Sequence, residues 1–522
     1  MLIEVVERKI GKPAWRYAIE LLLLLAATLV FLHLTASSIG INVDDDSEYL
    51  RNSRLVELSW FLHNQQWGPL YDYWIKLLSV FCPQPLALYF FNWRTMVVLL
   101  AMLPPLLRVR MAWLYTLAIV TLPIVLINSY IALFASIFVA LGLSWFLRRQ
   151  RSWSTALVTC CVISFVIAFA RPEFSYGTLL AAAGALVAIL VEGLRLRPSG
   201  RARTALFAKA AVVLVLALAM RVVQSSAWEP NRSGMAFEQH FNLRAAENGL
   251  IPPGENSWYS TYAQRQFNVD TAHNPFSTTA PMTAFLKANP RLFFSHVRAN
   301  LRDGRSLAMF AFFLVMTGWP WLFRSARSLR PASLMMIFFC LPSVVGILLV
   351  YPREHYPMTV APALLLLLVQ AFELHGPRRF TWPLLLATGL VLLGFAQLTR
   401  IRLAHEPFVG QRYIVAGMRC AVDVDAATGN ATPDVYDALP EIETYVTHRR
   451  VNVPADQVAT WPQFSAWASQ VHPAWIAREY NMSERLHVPR AALDGFLEHD
   501  LGYTPHACAR ETGIVIYSSP AK

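Results

Sequence analysis

Four acids fall within five positions of the stretch INVDDDSEYL: Asp44, Asp45, Asp46 and Glu48. They follow an apolar run that ends near residue 38, so they lie within a few residues of a membrane surface if that run crosses a bilayer. Adjacent carboxylates raise one another's pKa unless a cation or hydrogen-bond donors intervene. A group held that way can act as a general base or as a ligand for a hard cation. Asp45 and Asp46 are the acid–base candidates. Asp44 and Asp46 are the candidates for holding Mg²⁺ or Mn²⁺, and the sequence leaves a metal-dependent and a metal-free site both open. The plain alternative is a solvated acidic loop with no chemistry.

Two cationic segments could complement these acids. ARPEF puts Arg171 beside Pro172 and Glu173 at the end of one apolar run, and YPREHYP puts Arg353, Glu354, His355 and Tyr356 between two others. Arg and His at a membrane surface can hold a phosphate through charge-assisted hydrogen bonds. Arg171, Arg353, His355 and Tyr356 are therefore the phosphate-binding candidates. Simple local pairing of Arg171 with Glu173, or of Arg353 with Glu354, is the competing reading.

The elements that must position these groups are membrane helices. Only 15% of the residues are charged and 55% are hydrophobic, against about 25% charged in an ordinary soluble domain. About 20 apolar residues cross a bilayer core as a helix. About eleven segments qualify, near 17–38, 86–107, 111–127, 130–147, 153–170, 174–194, 205–223, 306–323, 332–350, 357–374 and 380–399. Basic clusters flank alternate connections, from Arg8, Lys9, Lys12 and Arg16 to Arg378 and Arg379. The formal charge of +12 is therefore a topology signal and not a nucleic-acid footprint.

By this count the amino terminus is cytoplasmic and the carboxyl terminus outside. Three hydrophilic regions then share the outer face: a first loop over 40–85, a large loop over 224–304, and a tail over 400–522. Residues 1–399 form the membrane domain and 400–522 a small α/β domain, whose closing TGIVIYSS alternates like a strand with one exposed face. In the first loop, Leu55, Leu58 and Leu62 share a helical face, as do Trp74, Leu77, Leu78 and Phe81. Two short amphipathic helices split by Trp67, Gly68 and Pro69 would lie in the interface plane. NPRLFFSHVRANL, residues 289–301, reads as another helix on the membrane. Cys420 and Cys508 are the two cysteines of the tail, and an oxidising compartment would let them pair.

With these residues in view, the chain resembles the integral-membrane glycosyltransferases of the GT-C fold, in particular the protein O-mannosyltransferase and aminoarabinose-transferase branch. Asp45-Asp46-Ser47-Glu48-Tyr49 is similar to that family's Asp-Glu-x-x-Tyr pattern in the first outer loop. WGPLYDYW, residues 67–74, is similar to the Pro-Leu-Tyr segment that opens its second interfacial helix. Arg353 to Tyr356 looks like its Arg-x-x-Tyr-Pro donor region. The chain departs from the aminoarabinose branch in having Trp67 and Gly68 where that branch carries a Glu-Lys pair before the Pro.

The resemblance implies an all-α polytopic membrane protein acting at the outer face of a bacterial inner membrane. It implies a polyprenyl-phosphate sugar as donor and a hydroxyl on a lipid, glycan or protein as acceptor. Asp45 would be the base, with Asp46 as the neighbouring acid, and transfer would invert the anomeric carbon. Competing readings are a polymerase or ligase of lipid-linked oligosaccharides and a transporter or flippase. A transporter needs ionisable groups and broken helices near the bilayer midplane, whereas the acids here gather at the ends of the spans.

Overall fold

A computed structural model describes residues 14–35, 45–61, 68–109, 112–121, 130–149, 152–196, 200–226, 232–251, 262–268, 281–353, 355–375, 417–427, 434–437, 445–446, 450–451, 460–478, 482–509 and 514–520. The chain enters through α1 (Ala14–Thr35), then runs along one end of the bundle as α2 (Asp45–Leu55), a 3-10 turn (Leu58–Phe61) and α3 (Pro69–Ser79). Long apolar helices follow: α4 (Pro85–Leu106), α5 (Ala112–Thr121), α6 (Tyr130–Arg149), α7 (Trp153–Ala168), α8 (Phe174–Leu196) and α9 (Arg201–Ser226). The large loop folds as α10 (Arg232–Glu247), α11 (Tyr262–Phe267), α12 (Met282–Ala288) and α13 (Pro290–Arg302). The bundle resumes with α14 (Gly304–Leu322) and α15 (Arg330–Leu349), then the short α16 (His355–Met358) and α17 (Ala361–His375).

Among the described residues, seven helices are long and apolar enough to cross a membrane, and two further apolar helices are shorter. The molecule is a polytopic helical membrane protein. Ten of the expected spans carry a described helix, with α5 limited to ten residues, and the eleventh, 380–399, lies outside the described residues. Local sequence sets the helix starts. Gln84 accepts from the Ala87 amide at 2.6 Å ahead of Pro85, and Asn289 does the same for Leu292 at 3.1 Å ahead of Pro290. A side-chain oxygen at the N-cap satisfies an otherwise orphaned amide, and proline at the first helical position loses no helix bond.

Helix 417–427, here α18, leads into a five-stranded sheet in the order β2-β1-β3-β5-β4. Its strands are β1 (Asp434–Asp437), β2 (Arg450–Val451), β3 (Trp475–Arg478), β4 (Thr504–Ala509) and β5 (Ile514–Ser518). β1 is parallel to both β2 and β3, while β5 is antiparallel to β3 and β4. The closing segment is thus a strand, but not one with an exposed face. β5 is an inner strand, and Ile516, Tyr517 and Ser518 are all buried. Tyr517 and Ile476 pack on one side with Phe464, Leu493 and Leu497, while Ile516, Trp475 and Ala477 turn to the core that continues into the bundle. Alternate side chains of a strand point to opposite faces, so cover on both sides buries Ile516, Tyr517 and Ser518 alike. Tyr89 of α4 meets Tyr445 edge-on at 5.2 Å and joins the bundle to this region. Cys420 is disulfide-bonded, and Cys82, Cys160, Cys161 and Cys340 are free.

Candidate functional site

Asp45 opens α2, and the acids occupy the first turn of that helix. Negative side chains there complement the helix macrodipole, so helix formation accounts for part of the cluster. Asp44 and the side chains of Asp45 and Asp46 lie outside the described residues, as does the side chain of His355. Beyond the acids, α2 turns Tyr49 inward to meet Tyr71 of α3 edge-on at 5.0 Å.

The second expected interfacial helix forms as α3, whereas the first does not run through Leu55, Leu58 and Leu62: α2 stops at Leu55, Leu58 begins the 3-10 turn, and Leu62 lies outside the described residues. The α2 helix ends at Leu55, which is 61% exposed, and Leu58, Leu77 and Phe81 are exposed as well. Leu78 is buried, so the second apolar face is divided between core and periphery. Exposed leucine and phenylalanine on short helices at a bundle end suit the lipid–water boundary.

Gly68 fixes α3 onto the turn between α7 and α8. A Cβ there would run into the Phe169 carbonyl and come within 2.7 Å of the Ala170 Cα. The Leu70 amide donates to that same Phe169 carbonyl at 2.9 Å. Gly68 is thus a backbone contact point, one that only a glycine accommodates.

Two residues further on is Arg171, 7% exposed. Its Nε donates to Glu173 Oε1 at 2.6 Å and Nη2 also reaches that carboxylate. The guanidinium lies 5.9 Å from the Tyr356 ring centroid. Burial works against the charge, but Glu173, then Tyr356 and Tyr49, hold the Arg171 pKa above its ordinary value. Tyr356 is seated against Gly346, where a Cβ would lie 2.6 Å from the ring, and Ser343 Oγ donates to its carbonyl at 3.0 Å. Arg171, Tyr356 and the acidic helix, through Tyr49, therefore meet at one rim. Arg353, three residues before Tyr356, also lies close enough to His240, at the seam with the large loop, for its charge to act there.

Asp72 went unnoticed in the sequence, inside a segment read for its Pro-Leu-Tyr. It is fully buried, and neither carboxyl oxygen has a hydrogen-bond partner. Burial, and secondarily the charge of Glu48, push its pKa up to about 9, so it carries a proton at neutral pH. Its signal was positional. In a helix starting at Pro69, residue 72 shares the buried face with Ile75.

Across the seam the large loop carries a second charged cluster. Arg244 donates to Asp303 at 2.8 Å and to Asn300 at 2.9 Å, and Arg305 donates to Asp303 at 2.9 Å and to the Tyr351 hydroxyl at 2.9 Å. The Tyr351 hydroxyl in turn donates to Glu247, and both guanidinium groups flank its ring, 4.8 Å and 5.0 Å from the centroid. Hydrogen bonds from Arg305, and then from Arg244, hold the Asp303 carboxyl below its ordinary range, against the opposing effect of burial. His296 Nε2 donates to the Val350 carbonyl at 2.9 Å. Residues 289–301 do form a helix, with Phe293, His296 and Asn300 buried on one side and Phe294 exposed on the other.

Among the described residues, no three His, Cys, Asp or Glu side chains are grouped to hold a metal ion. Glu48 and Asp72 together fall short of the oxygen donor set that Mg²⁺ takes.

Fold and rim define the class: a polytopic helical membrane protein with a polar, aromatic-lined site at one bundle end. No family model and no curated protein matches the chain. Among solved structures it is similar to the archaeal oligosaccharyltransferase AglB from Archaeoglobus fulgidus, in complex with an inhibitory peptide and a dolichol-phosphate. The likeness has a TM-score of 0.36 and 10% sequence identity, over 96% of this chain and 74% of that one. A likeness at that level says nothing of this chain's chemistry, which rests on its own residues.

Proposed function

We propose that the protein is a membrane glycosyltransferase that moves a sugar from a polyprenyl-phosphate donor to an acceptor hydroxyl at the outer face of a bacterial inner membrane. The observation that carries this reading is Arg171: a guanidinium kept charged at 7% exposure, at the bundle edge, between Tyr356 and the tyrosine of the acidic helix. Two of its five N–H groups face Glu173, and the others can take phosphate oxygens. The prenyl chain remains in lipid along the exposed leucines of α2 and α3.

Asp45 then takes the proton from the acceptor hydroxyl as that oxygen bonds to the anomeric carbon. The bond from that carbon to the phosphate oxygen breaks on the opposite face, so configuration inverts. The prenyl phosphate leaves with its new negative charge against Arg171, with Arg353, His355 and Tyr356 as further phosphate-side groups. Base catalysis of this kind is worth about 10²–10⁴-fold, and stabilising the leaving charge is commonly as large. In this reading the amino terminus is cytoplasmic and residues 400–522 are a small α/β domain in the periplasm. Asp44 and Asp46 would be the groups to hold Mg²⁺ or Mn²⁺ if transfer needs one.

The test is transfer of labelled sugar from a prenyl-phosphate donor by the protein in proteoliposomes, with Asp45→Asn alongside. Wild-type transfer with loss in the variant is expected. Full activity of the variant would remove Asp45 as base, and solute movement with no glycosylated product would point to a transporter.

A further inference from the structure

The outward side of α13 is cationic from end to end. Arg291, Arg298 and Arg302 are all exposed, and separations of seven and then four residues keep them on one side of a helix with 3.6 residues per turn. Phe294 and Leu301, also seven residues apart and 60% and 47% exposed, make an apolar row alongside. The chain has no acid between Asp270 and Asp303. Asp303 and Glu247, at the carboxyl end of the helix, pair with Arg244 and Arg305 instead. Among the described residues, none forms an ion pair with Arg291, Arg298 or Arg302.

The helix lies across the ends of two spans. Asp303 alone separates it from α14, and the extended backbone there (φ −63°, ψ 129°) stops α13 while the Asp303 carboxylate accepts from the Arg305 amide at 2.8 Å to start α14. On the buried side, Asn300 donates to the Leu348 and Val350 carbonyls at 3.1 Å each, at the end of α15. Both spans are long and apolar enough to cross a membrane, so α13 sits at the membrane surface, where one starts and the other stops. At that level an apolar row enters the acyl boundary while guanidinium groups beside it meet lipid phosphates. A soluble polyanion would use the arginines and leave Phe294 and Leu301 in water.

We infer that the Arg291, Arg298 and Arg302 face of α13 binds the phosphates of anionic phospholipids in the adjoining leaflet and so holds the large loop on the membrane. The loop is tied to this helix from the other side, where Phe293 stacks on Phe237 of α10 at 5.1 Å and His296 meets the same ring edge-on at 5.3 Å. A basic residue at an anionic surface contributes about fivefold in binding, so three acting together give about a hundredfold at low salt.

The experiment is hydrogen–deuterium exchange of the full chain in nanodiscs of phosphatidylcholine, with and without phosphatidylglycerol, read over residues 290–302. It compares wild type, the triple variant Arg291→Gln/Arg298→Gln/Arg302→Gln, the triple variant to Lys at the same positions, and Phe294→Ser, with thermal unfolding confirming that each is folded. In wild type, phosphatidylglycerol should slow exchange about tenfold, and raised salt should reverse the effect. The Gln variant should lose the response and the Lys variant keep most of it, while Phe294→Ser should weaken it. No response to phosphatidylglycerol in wild type, or an equal response in the Gln variant, would overturn the inference. Slowing by dextran sulfate in phosphatidylcholine alone, with none from phosphatidylglycerol, would make a soluble polyanion the partner instead. Exchange is read without sugar transfer, so a chain with no transferase activity still gives a result here.

Discussion

At the α2–α3 rim, Asp72 sits at 0% exposure with neither oxygen bonded, and Arg171 is held by a single carboxylate between aromatic rings. Across the seam, Arg244 and Arg305 share Asp303, Glu247 and the ring of Tyr351. Buried polar groups are ordinarily satisfied, because an unpartnered one loses its hydration for nothing in return. The second region comes close to that rule, every charged group in it having a partner of opposite charge although Arg244 Nε is left over, and it ties the large loop to the end of α15. The first breaks it, and exceptions of that kind gather where a ligand or a proton completes the set. Charge alone therefore does not mark the site; a buried carboxyl with neither oxygen bonded does.

The largest effect should separate the regions by activity. Arg171→Met is expected to lower sugar transfer by about 10²–10³-fold, the scale of removing one charge-stabilising donor, and to leave a folded protein. Arg244→Ala should do the reverse. It removes one of the two guanidinium partners of Asp303, whose side chain is only 10% exposed, and losing a hydrogen bond to a charged group costs about 1.5–3 kcal/mol. Unfolding in detergent should show the loss as a lower midpoint, while turnover per folded molecule stays near wild type. If Arg244→Ala instead abolished turnover in a protein of normal stability, the contrast drawn here would be wrong, and the large loop would belong to the site.

Gly68→Ala probes how the rim is held. Its Cβ meets the backbone of Phe169 and Ala170, which cannot step aside as a flexible side chain does. A cost of about 1–3 kcal/mol is expected, the range for overpacking, together with reduced transfer, since α3 would lift off the turn that carries Arg171. Normal stability with normal transfer would show that α3 docks by some other contact.

How far the sequence leads differs between these regions for a physical reason. The spans announce themselves by apolar length, and α3 by the spacing of Trp74, Leu77 and Leu78, because one helix face repeats locally, whereas the spacing of Leu55 and Leu58 joins a helix end to a 3-10 turn. Arg171 and Tyr356 could be picked out by their neighbours in the chain, but not their meeting, which requires α7, α8 and α15 to pack. The second network was invisible. Arg244 and Asp303 are 59 positions apart and Tyr351 and Glu247 are 104 apart, and no local pattern encodes such pairs. Asp72 was missed for another reason: its importance lies in what it lacks, and missing partners leave no trace in composition. The order of the sheet was equally hidden, since β1 and β2 are four and two residues long.

The smallest effect is also the sharpest, because the two regions should respond to pH with opposite sign. Burial lowers the His240 pKa to about 3 and the His296 pKa to about 4. Below about pH 6.5 the unfolded chain takes up protons that the folded one refuses, so stability falls as pH drops from there. For Asp72 the folded pKa is raised from 3.8 to about 9. Between those values the folded chain holds a proton that the unfolded one has lost, so stability falls as pH rises. Each group contributes a slope of up to about 1.4 kcal/mol per pH unit inside its window. Asp72→Asn, which mimics the protonated acid, should flatten the fall in unfolding midpoint between pH 7 and pH 8.5 or so and leave the acid side alone. His296→Gln, which keeps a donor for the Val350 carbonyl, should flatten only the acid side, between about pH 6 and pH 5. A single variant that moved both limbs would mean that rim and network unfold as one titrating unit, and that the two kinds of burial are not energetically distinct.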